Sequence, residues 1–391
     1  MNKQIKSYKA FDENMRCRGF QYEVGKEYDM NGDIKCCKRG FHACESPLEV
    51  WDYYDMLTSR FAEVEQSGKI SAEGHTTKVC SSHIKIKAEL KLADIINVGV
   101  EWLKDLTSPS KIKDDSATLN DDGFDKKQIG SSGYSAQIGS SGDFAKIGSS
   151  GYSAQIGSSG YSAQIGSSGD FAKIGSSGDF AQIGSSGDFA QIGSSGGSAQ
   201  IGSSGYSAQI GSSGGSAKIG SSGGSAKIGS SGYSAQIGSS GYSAQIGSSG
   251  DFAKIGSSGD FAKIGSSGYS AQIGSSGYSA QIGSSGDFAQ IGSSGDFAKI
   301  GSSGGSAKIG SSGDFAKIDS TGENSVIMCA GRDSVAKAKV GSWITLAEWE
   351  WDDEKECRVP VCVKTERVDG IKIKPDTWYR LRGGEFVEVT K

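Results

Sequence analysis

The chain has 391 residues and a formal net charge of −4 at pH 7. So small a charge gives no electrostatic reason to expect nucleic acid or an anionic membrane as a partner. No apolar run is long enough to cross a bilayer, and the first ten residues lack the apolar stretch of a secretory signal. We therefore expect a cytoplasmic protein with reduced thiols.

Residues 1–105 show the mixed patterns of a small α+β domain. Ser46 and Pro47 have the chemistry of a helix start, with Ser as the N-cap and Pro at the first helical position. A second helix is predicted over Leu92–Leu103. About 100 residues can hold a modest core. Three further segments alternate between apolar and polar residues as strands do, namely Phe20–Val24, Arg60–Glu65 and His83–Lys87.

Between Ile129 and Lys317 one nine-residue phrase recurs twenty-one times without insertion or deletion. It reads Ile-Gly-Ser-Ser-Gly, then Tyr-Ser, Asp-Phe or Gly-Ser, then Ala, then Gln or Lys. A fixed period is typical of a solenoid, in which each unit buries its apolar side against its neighbours. A flexible Gly/Ser linker is the other reading of this composition, but a linker needs no apolar position in register. We therefore predict a β-solenoid over residues 129–317.

The alternation of side chains along a strand orients the phrase, whose positions we number from Ile as position one. Ala at position eight and the next Ile face one way, and the intervening Gln or Lys faces the other. Lys cannot face a dry interior without a partner, so Ile and Ala point inward. Gly-Ser-Ser-Gly is predicted to form the corner. Two phrases per coil, about 18 residues, give a two-sided solenoid, whereas three phrases would give a triangular coil. The order of Tyr and Phe phrases favours two, because the two kinds would then alternate along each wall and stagger the bulky rings.

The segments that flank the repeat predict its ends. Residues 106–128 indicate a polar linker and a degenerate first coil, in which Leu119 takes position one. Residues 318–340 keep the period but lose the consensus, as terminal coils of a solenoid do. Residues 341–391 predict an antiparallel β cap with hairpin turns at Asp369-Gly370 and Gly383-Gly384. Its predicted strands are Trp343–Trp351, Val359–Val368, Ile371–Lys374 and Phe386–Val389.

Position seven is predicted to face outward with position nine, and in nine units it is Phe. Rows of exposed apolar side chains typically mark an interface. The alternative is a bend at which Phe folds back over the Ala beneath it. The partner would be another protein or a second copy of the chain, so a homodimer is possible. The predicted binding residues of this wall are Phe144, Phe171, Phe180, Phe189, Phe252, Phe261, Phe288, Phe297, Phe315, Lys146, Lys173, Lys254 and Lys263.

No catalytic constellation, cofactor motif or metal site is predicted. Calcium-binding nonapeptides place Asp differently, and twelve of the twenty-one units have no Asp. Cys36, Cys37, His42 and Cys44 are ligand types for zinc, but they lack the spacing of paired knuckles. Zinc binding by these residues stays an alternative, as does ice or polysaccharide binding by rows of hydroxyls.

Two segments carry a resemblance to a known family. Arg-Cys-Arg-Gly-Phe-Gln-Tyr-Glu-Val-Gly-Lys over residues 16–26 and Lys-Arg-Gly-Phe-His-Ala-Cys over residues 38–44 resemble an N-terminal domain of unknown function. That domain is common in uncharacterised proteins of bacteriophages and prophages, where Gly-rich repeats of similar period often follow it. The resemblance implies a mobile-element origin and supplies no catalytic residues.

A second similarity is to ADP-ribosyltransferase-like folds. The matching parts are Gly40-Phe41-His42 and Trp51-Asp52-Tyr53-Tyr54. The resemblance implies that these parts lie beside a nicotinamide pocket, with Glu63 or Glu65 as the candidate acid.

The sequence thus favours a non-enzymatic β-solenoid scaffold or binding protein of phage or prophage origin, with an anti-defence or host-interaction role as one hypothesis. The alternatives are an ADP-ribosyltransferase-like enzyme in the N-terminal domain and a solenoid that binds a surface, ice or a polysaccharide.

Overall fold

The structure, a computed structural model, describes residues 4–55, 57–72, 77–106, 118–119 and 128–389. It confirms the predicted fold class. The chain is mainly β, with a small N-terminal sheet domain, a two-sided β-solenoid of about 12 turns over residues 128–346, and antiparallel strands near the C-terminus. It forms two compact units, Met1–Ala199 with Gly211–Ser213, and Gln200–Ile210 with Gly214–Lys391.

In the first unit, the N-terminal domain (residues 4–106) is built on a five-stranded antiparallel sheet. Its strands lie in the order Glu27–Asp29, Lys78–Leu90, Phe41–Cys44, Ile5–Phe11 and Arg60–Ala72. Lys78–Leu90 also pairs with Arg60–Ala72, which closes four of the strands into a ring. The ring encloses one apolar cluster around Phe11, Ile84 and Ile86.

Local structure in this domain differs from the prediction at two places. The strand expected over Phe20–Val24 is short, because only Phe20–Gln21 pairs, in a hairpin with Arg16–Cys17. The predicted Ser46 cap is wrong. Pro47 is the N-cap of a 3-10 helix, Leu48–Asp52, and no side chain caps that helix. The carboxylate of the buried Glu49 instead accepts hydrogen bonds from the backbone N–H and the hydroxyl of Thr77.

The α-helix Leu92–Leu106 is the one α-helix of the described residues. It starts as predicted and extends beyond the expected end. Ile95 and Ile96 on this helix pack with Leu48 and Trp51 of the 3-10 helix in a second apolar cluster, against Tyr8 of the sheet. The two helical segments therefore form one apolar surface on the domain.

Each nine-residue phrase forms one four-residue strand, and each strand pairs in parallel and in register with the next strand but one. Ile138 pairs with Ile156 in the first unit, and Ile237 pairs with Ile255 in the second. Two phrases therefore make one coil with two walls, as predicted. The strands are Gln128–Ser131, Gln137–Ser140, Lys146–Ser149, Gln155–Ser158, Gln164–Ser167, Lys173–Ser176, Gln182–Ser185, Gln191–Ser194, Gln200–Ser203, Gln209–Ser212, Lys218–Ser221, Lys227–Ser230, Gln236–Ser239, Gln245–Ser248, Lys254–Ser257, Lys263–Ser266, Gln272–Ser275, Gln281–Ser284, Gln290–Ser293, Lys299–Ser302 and Lys308–Ser311.

Ile and Ala fill the interior of the coils, as their spacing predicted, and are almost fully buried throughout the repeat. Each buried Ile stabilises the coil by about 1.5–3 kcal/mol. Ser at position three also points inward. Its hydroxyl accepts a hydrogen bond from the Gly two residues later, as Ser257 does from the N–H of Gly259 at 3.3 Å. The same bond recurs in many phrases of the repeat, whereas the buried hydroxyls of some other position-three serines, such as Ser284 and Ser293, have no hydrogen-bond partner among the described residues.

The corner of the coil is not where it was predicted. The Gly and Ser of positions two and three belong to the strand, and the chain turns at positions six and seven, for example at Asp260 and Phe261 after Lys254–Ser257. The prediction of a Gly-Ser-Ser-Gly corner is wrong because the first Gly keeps the outer wall flat and the first Ser supplies an inward hydroxyl.

Few residues of the predicted linker and first coil are described. Thr118–Leu119 pairs in parallel with Gln137–Ile138, and residues 107–117 and 120–127 lie outside the described residues. Beyond the consensus repeat, Lys317–Ser320 and Val326–Cys329 continue the two walls of the second unit in register.

Two antiparallel hairpins follow the last coil. Trp343–Asp352 pairs in parallel with Val326–Cys329 and in antiparallel with Cys357–Arg367. Tyr379–Arg382 pairs with Glu385–Glu388 and with the short strand Val335–Lys337, through the predicted turn at Gly383-Gly384. The hairpins cover backbone edges of both walls that would otherwise be open to pairing with other chains.

The strand predicted over Ile371–Lys374 is wrong. The Asp369 carboxylate accepts hydrogen bonds from the N–H groups of Ile371, Lys372 and Ile373 at 2.8–3.2 Å. These bonds hold the segment in a turn, and the strand forms later, at Tyr379–Arg382.

Candidate functional site

The nine predicted Phe residues lie at the turns of the coils rather than on their flat walls. Each is the second residue of its turn, so position seven sits at a bend, as the alternative reading supposed. The rings nevertheless stay accessible, with 39–49% of each residue exposed. They therefore line the two edges of the solenoid at which the chain passes from one wall to the other.

Aromatic side chains of successive coils contact one another along these edges, and we call these rows the aromatic ladders. In the first unit Tyr134, Tyr152, Phe171 and Phe189 form one ladder, with ring centroids 5.0–5.1 Å apart. Where a Tyr phrase is followed by a Phe phrase in the next coil, the two rings contact each other but do not stack, because their planes differ by 51–67°. The N–H of Phe171 donates to the carbonyl of Tyr152 at 2.9 Å, which brings position seven of one coil beside position six of the coil before.

The second unit carries equivalent ladders. Tyr278, Phe297 and Phe315 contact in series, with centroids 5.1 and 4.9 Å apart. The guanidinium of Arg332 lies 4.9 Å from the Phe315 ring centroid and ends the row. Other pairs in this unit are Tyr233 with Phe252, Tyr242 with Phe261, and Tyr269 with Phe288.

Asp before Phe has a structural role in the ladders. The Asp296 carboxylate accepts the N–H of Asp314 at 2.7 Å, and the Asp314 carboxylate accepts the N–H of Arg332 at 2.8 Å. Each of these two Asp residues thus binds the backbone of the following coil. These Asp-Phe phrases therefore supply both a bond between coils and an exposed ring.

The predicted lysines have different surroundings. Lys146, Lys254 and Lys263 are exposed at the first position of their strands. Lys173 is buried against the N-terminal domain, where its ammonium lies 2.6 Å from the Asp52 carboxylate. In the first unit that domain lies on one wall of the solenoid, and its Leu92–Leu106 helix contacts four successive strands of the wall.

A second candidate site is a cavity of about 370 Å³ in the N-terminal domain, the N-terminal cavity. Gly40, Phe41 and His42 reach it from one strand, and Tyr53 and Tyr54 follow the 3-10 helix. The similarity to ADP-ribosyltransferase-like folds placed these residues side by side together with Trp51 and Asp52, but neither Trp51 nor Asp52 lines the cavity.

Positive charge dominates this cavity. Five cationic residues line it, and no Asp or Glu is found among the described residues of its lining. The guanidinium of one of them, Arg39, donates to the carbonyl of Asn31 at 2.8 Å. The cationic residues are Lys9, Arg18, Lys38, Arg39 and Lys78. Aromatic rings supply much of the remaining wall, including Phe20, Tyr22, Phe41, Tyr53 and Tyr54.

Lys9 lies at the buried end of the cavity. Its ammonium donates to the carbonyl of His42 at 3.0 Å and lies 3.4 Å from the Cys17 sulfur, which is 2.7 Å from the Tyr54 hydroxyl. Burial lowers the pKa of Lys9 and raises that of Tyr54. None of the described carboxylates forms an ion pair with Lys9, and its amine lies 5.5 Å from the ring centroid of Tyr22, so this buried site favours the neutral amine.

His42 has a fixed role beside Lys9. Its Nε2 accepts the backbone N–H of Cys37 at 2.9 Å, and burial lowers the pKa of the imidazole, with the charge of Lys9 as the next cause. A ring nitrogen that accepts a hydrogen bond carries no proton there, which suits the neutral form.

The candidate acids of the ADP-ribosyltransferase-like reading lie elsewhere. Glu63 pairs with Lys6 at 3.0 Å, and Glu65 pairs with Lys87 at 3.4 Å. Neither residue lines the N-terminal cavity.

The comparisons with known proteins bear on this domain alone. Residues 5–98 match the family model described as Domain of unknown function (DUF7666). That match agrees with the resemblance to an N-terminal domain of unknown function. Comparison with curated proteins and with solved structures gives no match.

The residues weighed as zinc ligands do not form one cluster. Cys44 is buried in the core, where burial raises the pKa of its thiol to about 12. Within the described ranges, no group of three or more His, Cys, Asp or Glu side chains is placed to hold a metal ion. Within the same ranges, no helix is both long and apolar enough to span a membrane.

Sequence reasoning missed the cationic cavity, although one signal was present. Lys6 and Lys9 are three residues apart in the strand Ile5–Phe11, so their side chains leave opposite faces. One face of the strand packs on the core, and one of the two lysines must therefore be buried. The other cations come from three separate segments, which no spacing in the sequence connects.

Proposed function

We propose that the protein is a non-enzymatic scaffold that binds a protein partner through its aromatic ladders. The observation that carries the proposal is the series of half-exposed rings in contact along the edges of the coils. Exposed apolar rows of this kind are typical of interaction surfaces, and aromatic residues are enriched in the centre of protein interfaces. Exposed Lys and Gln beside the ladders would form the polar rim of such an interface.

The geometry of the rings favours a protein over a polysaccharide. The planes of Phe171 and Phe189 differ by 9°, and those of Phe297 and Phe315 by 12°. Rings stacked in this way cover each other's faces, and in the tilted Tyr–Phe pairs, with planes 51–67° apart, the edge of one ring meets the face of the other. A sugar ring packs on a free aromatic face, whereas the apolar side chains of a protein can pack along a row of ring edges.

The direction of the serine hydroxyls argues against ice binding. One of the two serines of each phrase points into the core, so the repeated hydroxyls do not form a paired row on the wall.

The setting that we propose is the cytosol of a host cell, for a protein of phage or prophage origin. The partner would be a host protein, with an anti-defence role as one possibility, or a second copy of the chain. The described lining of the N-terminal cavity contains no carboxylate, which argues against ADP-ribosyl transfer at this cavity.

The test exchanges the ladder for a phrase that the repeat already uses. Gly305-Ser306 occupies the same turn that Asp-Phe occupies elsewhere. Replacing Asp296-Phe297 and Asp314-Phe315 by Gly-Ser should therefore preserve the coil while removing two rings. Loss of central interface aromatics costs about 2 kcal/mol or more each, so binding should weaken more than tenfold.

The measurement is quantitative copurification from the native host together with sedimentation of the purified chain. The matched control is Lys218→Gln, which follows a Gly-Ser turn without an aromatic ring and exchanges two residues that the phrase uses at that exposed position. We expect the partner, or the self-association, to be lost with the ladder variant and kept with the control. A partner and a sedimentation coefficient that are the same for both variants would contradict the proposal.

A further inference from the structure

The N-terminal cavity is separate from the aromatic ladders, and the scaffold function leaves it without a role. We propose that it binds a small organic phosphate of the size of a mononucleotide, with the phosphate among the cationic side chains and a flat ring against the aromatic wall. Three features of the cavity support this assignment, namely its charge, its aromatic lining and its size.

The charge of the lining selects an anion. Lys9, Arg18 and Arg39 line the cavity together with two further lysines, and no carboxylate is found among its described lining residues. A phosphate monoester carries close to two negative charges at pH 7. The planar guanidinium groups of Arg match phosphate oxygens two at a time, so this combination fits a phosphate better than it fits a single carboxylate.

The aromatic lining selects a ligand with a flat apolar part. Phe20 is largely exposed, and Tyr53, at the edge of the cavity, has the ammonium of Lys78 4.4 Å from its ring centroid. The cavity volume of about 370 Å³ lies in the range of pockets that hold small organic ligands. Inorganic phosphate alone would leave much of this space and most of the aromatic wall unused.

Lys9 provides a signature of binding that a merely structural lysine would lack. Its burial favours the neutral amine, and a bound dianion would favour the ammonium. Ligand binding should therefore be accompanied by proton uptake at a pH between the two pKa values of Lys9. The titratable and charged groups that lie near its amine are Cys17, Tyr22, His42, Cys44, Tyr54 and, more distantly, Arg18.

The experiment is titration calorimetry of the full chain with adenosine monophosphate, adenosine and inorganic phosphate, in buffers of different ionisation enthalpy. We expect adenosine monophosphate to bind with proton uptake, inorganic phosphate to compete with it, and adenosine to bind at least tenfold more weakly. Lys9→Met keeps an unbranched side chain in the buried site. It should lower the affinity roughly tenfold or more and abolish proton uptake.

A second variant guards against a folding effect of Lys9→Met. Arg18→Ala changes an exposed residue of the lining, and it should lower the affinity roughly tenfold while leaving proton uptake unchanged. The ladder variant with two Gly-Ser phrases is the matched control, and it should bind as the unchanged chain does. The proposal is overturned if neither adenosine monophosphate nor inorganic phosphate binds at millimolar concentration, if adenosine binds equally well, or if both cavity variants bind normally.

Discussion

The ammonium of Lys173 lies 2.6 Å from the carboxylate of Asp52, and this ion pair joins the solenoid wall to the N-terminal domain in the first unit. The two side chains differ in burial, because that of Lys173 is 10% exposed and that of Asp52 is 40% exposed. Around it, Gln191 donates to the carbonyl of Trp51 at 3.2 Å, and Asn97 accepts the hydroxyl of Ser195 at 2.6 Å. One repeat lysine thus serves an internal contact rather than an external partner.

The unequal burial of this pair predicts unequal effects of removing its members. Asp52→Asn leaves a buried ammonium without its counter-ion and should weaken docking of the domain by roughly 2 kcal/mol. Lys173→Gln leaves a carboxylate that water can reach and should cost only about 1 kcal/mol. Amide hydrogen exchange of the Leu92–Leu106 helix measures both effects. Lys146→Gln, at an exposed position, is the control, and equal protection in all three variants would contradict the prediction.

Gly193 lies where the domain meets the wall, and Gly184 is its counterpart on a strand that no described residue of the N-terminal domain covers. A Cβ on Gly193 would lie 2.9 Å from two side-chain carbons of Ile96, whereas a Cβ on Gly184 would have no atom within 4 Å. Gly193→Ala should therefore destabilise docking by about 1–2 kcal/mol, because Ile96 must move. Gly184→Ala should be neutral or stabilise slightly. Limited proteolysis of the N-terminal domain would distinguish the two, and greater sensitivity of Gly184→Ala would exclude this account.

The sequence was most informative where one constraint repeats. The alternation of Ile, Lys or Gln, and Ala was enough to predict which residues are inside and that two phrases make one coil. It was not enough to place the corner, because Gly and Ser are equally suited to a turn and to a strand. The choice between turn and strand depends on two contacts, namely the inward hydrogen bond of the position-three serine and the contact between glycines of successive coils. Both contacts exist only once the coils are stacked.

The N-terminal domain shows the opposite case. Its strands and helices were predicted approximately, yet its cavity combines Lys9, Arg18 and Tyr54 from segments that are distant along the chain. Their meeting depends on the closed ring of strands, which no local pattern encodes. The resemblance to ADP-ribosyltransferase-like folds indicated two of the contributing segments, but the candidate acids Glu63 and Glu65 form ion pairs outside the cavity.

The buried thiol of Cys44 predicts a loss of stability at alkaline pH. Burial raises its pKa from the ordinary value of 9.0 to about 12, so the folded state keeps a proton that the unfolded state releases. This contribution is fully present below pH 9 and is lost as the pH rises towards 12, at up to about 1.4 kcal/mol per pH unit.

Cys44→Ala should remove that part of the slope, although it also lowers stability at neutral pH through lost packing. The exposed Cys357, changed to Ala, is the control. Denaturant unfolding of the N-terminal domain at several pH values between 8 and 10.5, read from hydrogen exchange, measures the slope. A slope that is unchanged by Cys44→Ala would show that other groups cause the alkaline loss.

Gly256 and Gly259 belong to one phrase and test the stacking of the coils. A Cβ on Gly259 would lie 1.9 Å from the carbonyl oxygen of Gly241 in the preceding coil, and the next nearest atoms, at 2.9 and 3.2 Å, are also rigid backbone of that coil. A Cβ on Gly256 would have nothing within 4 Å. Gly259→Ala should therefore open the local coil and destabilise the second unit by about 3 kcal/mol or more, because the backbone hydrogen bonds between coils are lost with the contact.

Gly256→Ala should leave stability within about 0.5 kcal/mol of the unchanged chain, since exposed strand positions accept Ala. Thermal unfolding followed by circular dichroism compares the two single-residue variants directly. Hydrogen exchange then localises the damage, which should be greatest in the strands Gln236–Ser239 and Lys254–Ser257 on either side of the contact. If Gly259→Ala and Gly256→Ala have the same melting temperature, the close approach of position-five glycines does not set the spacing of the coils.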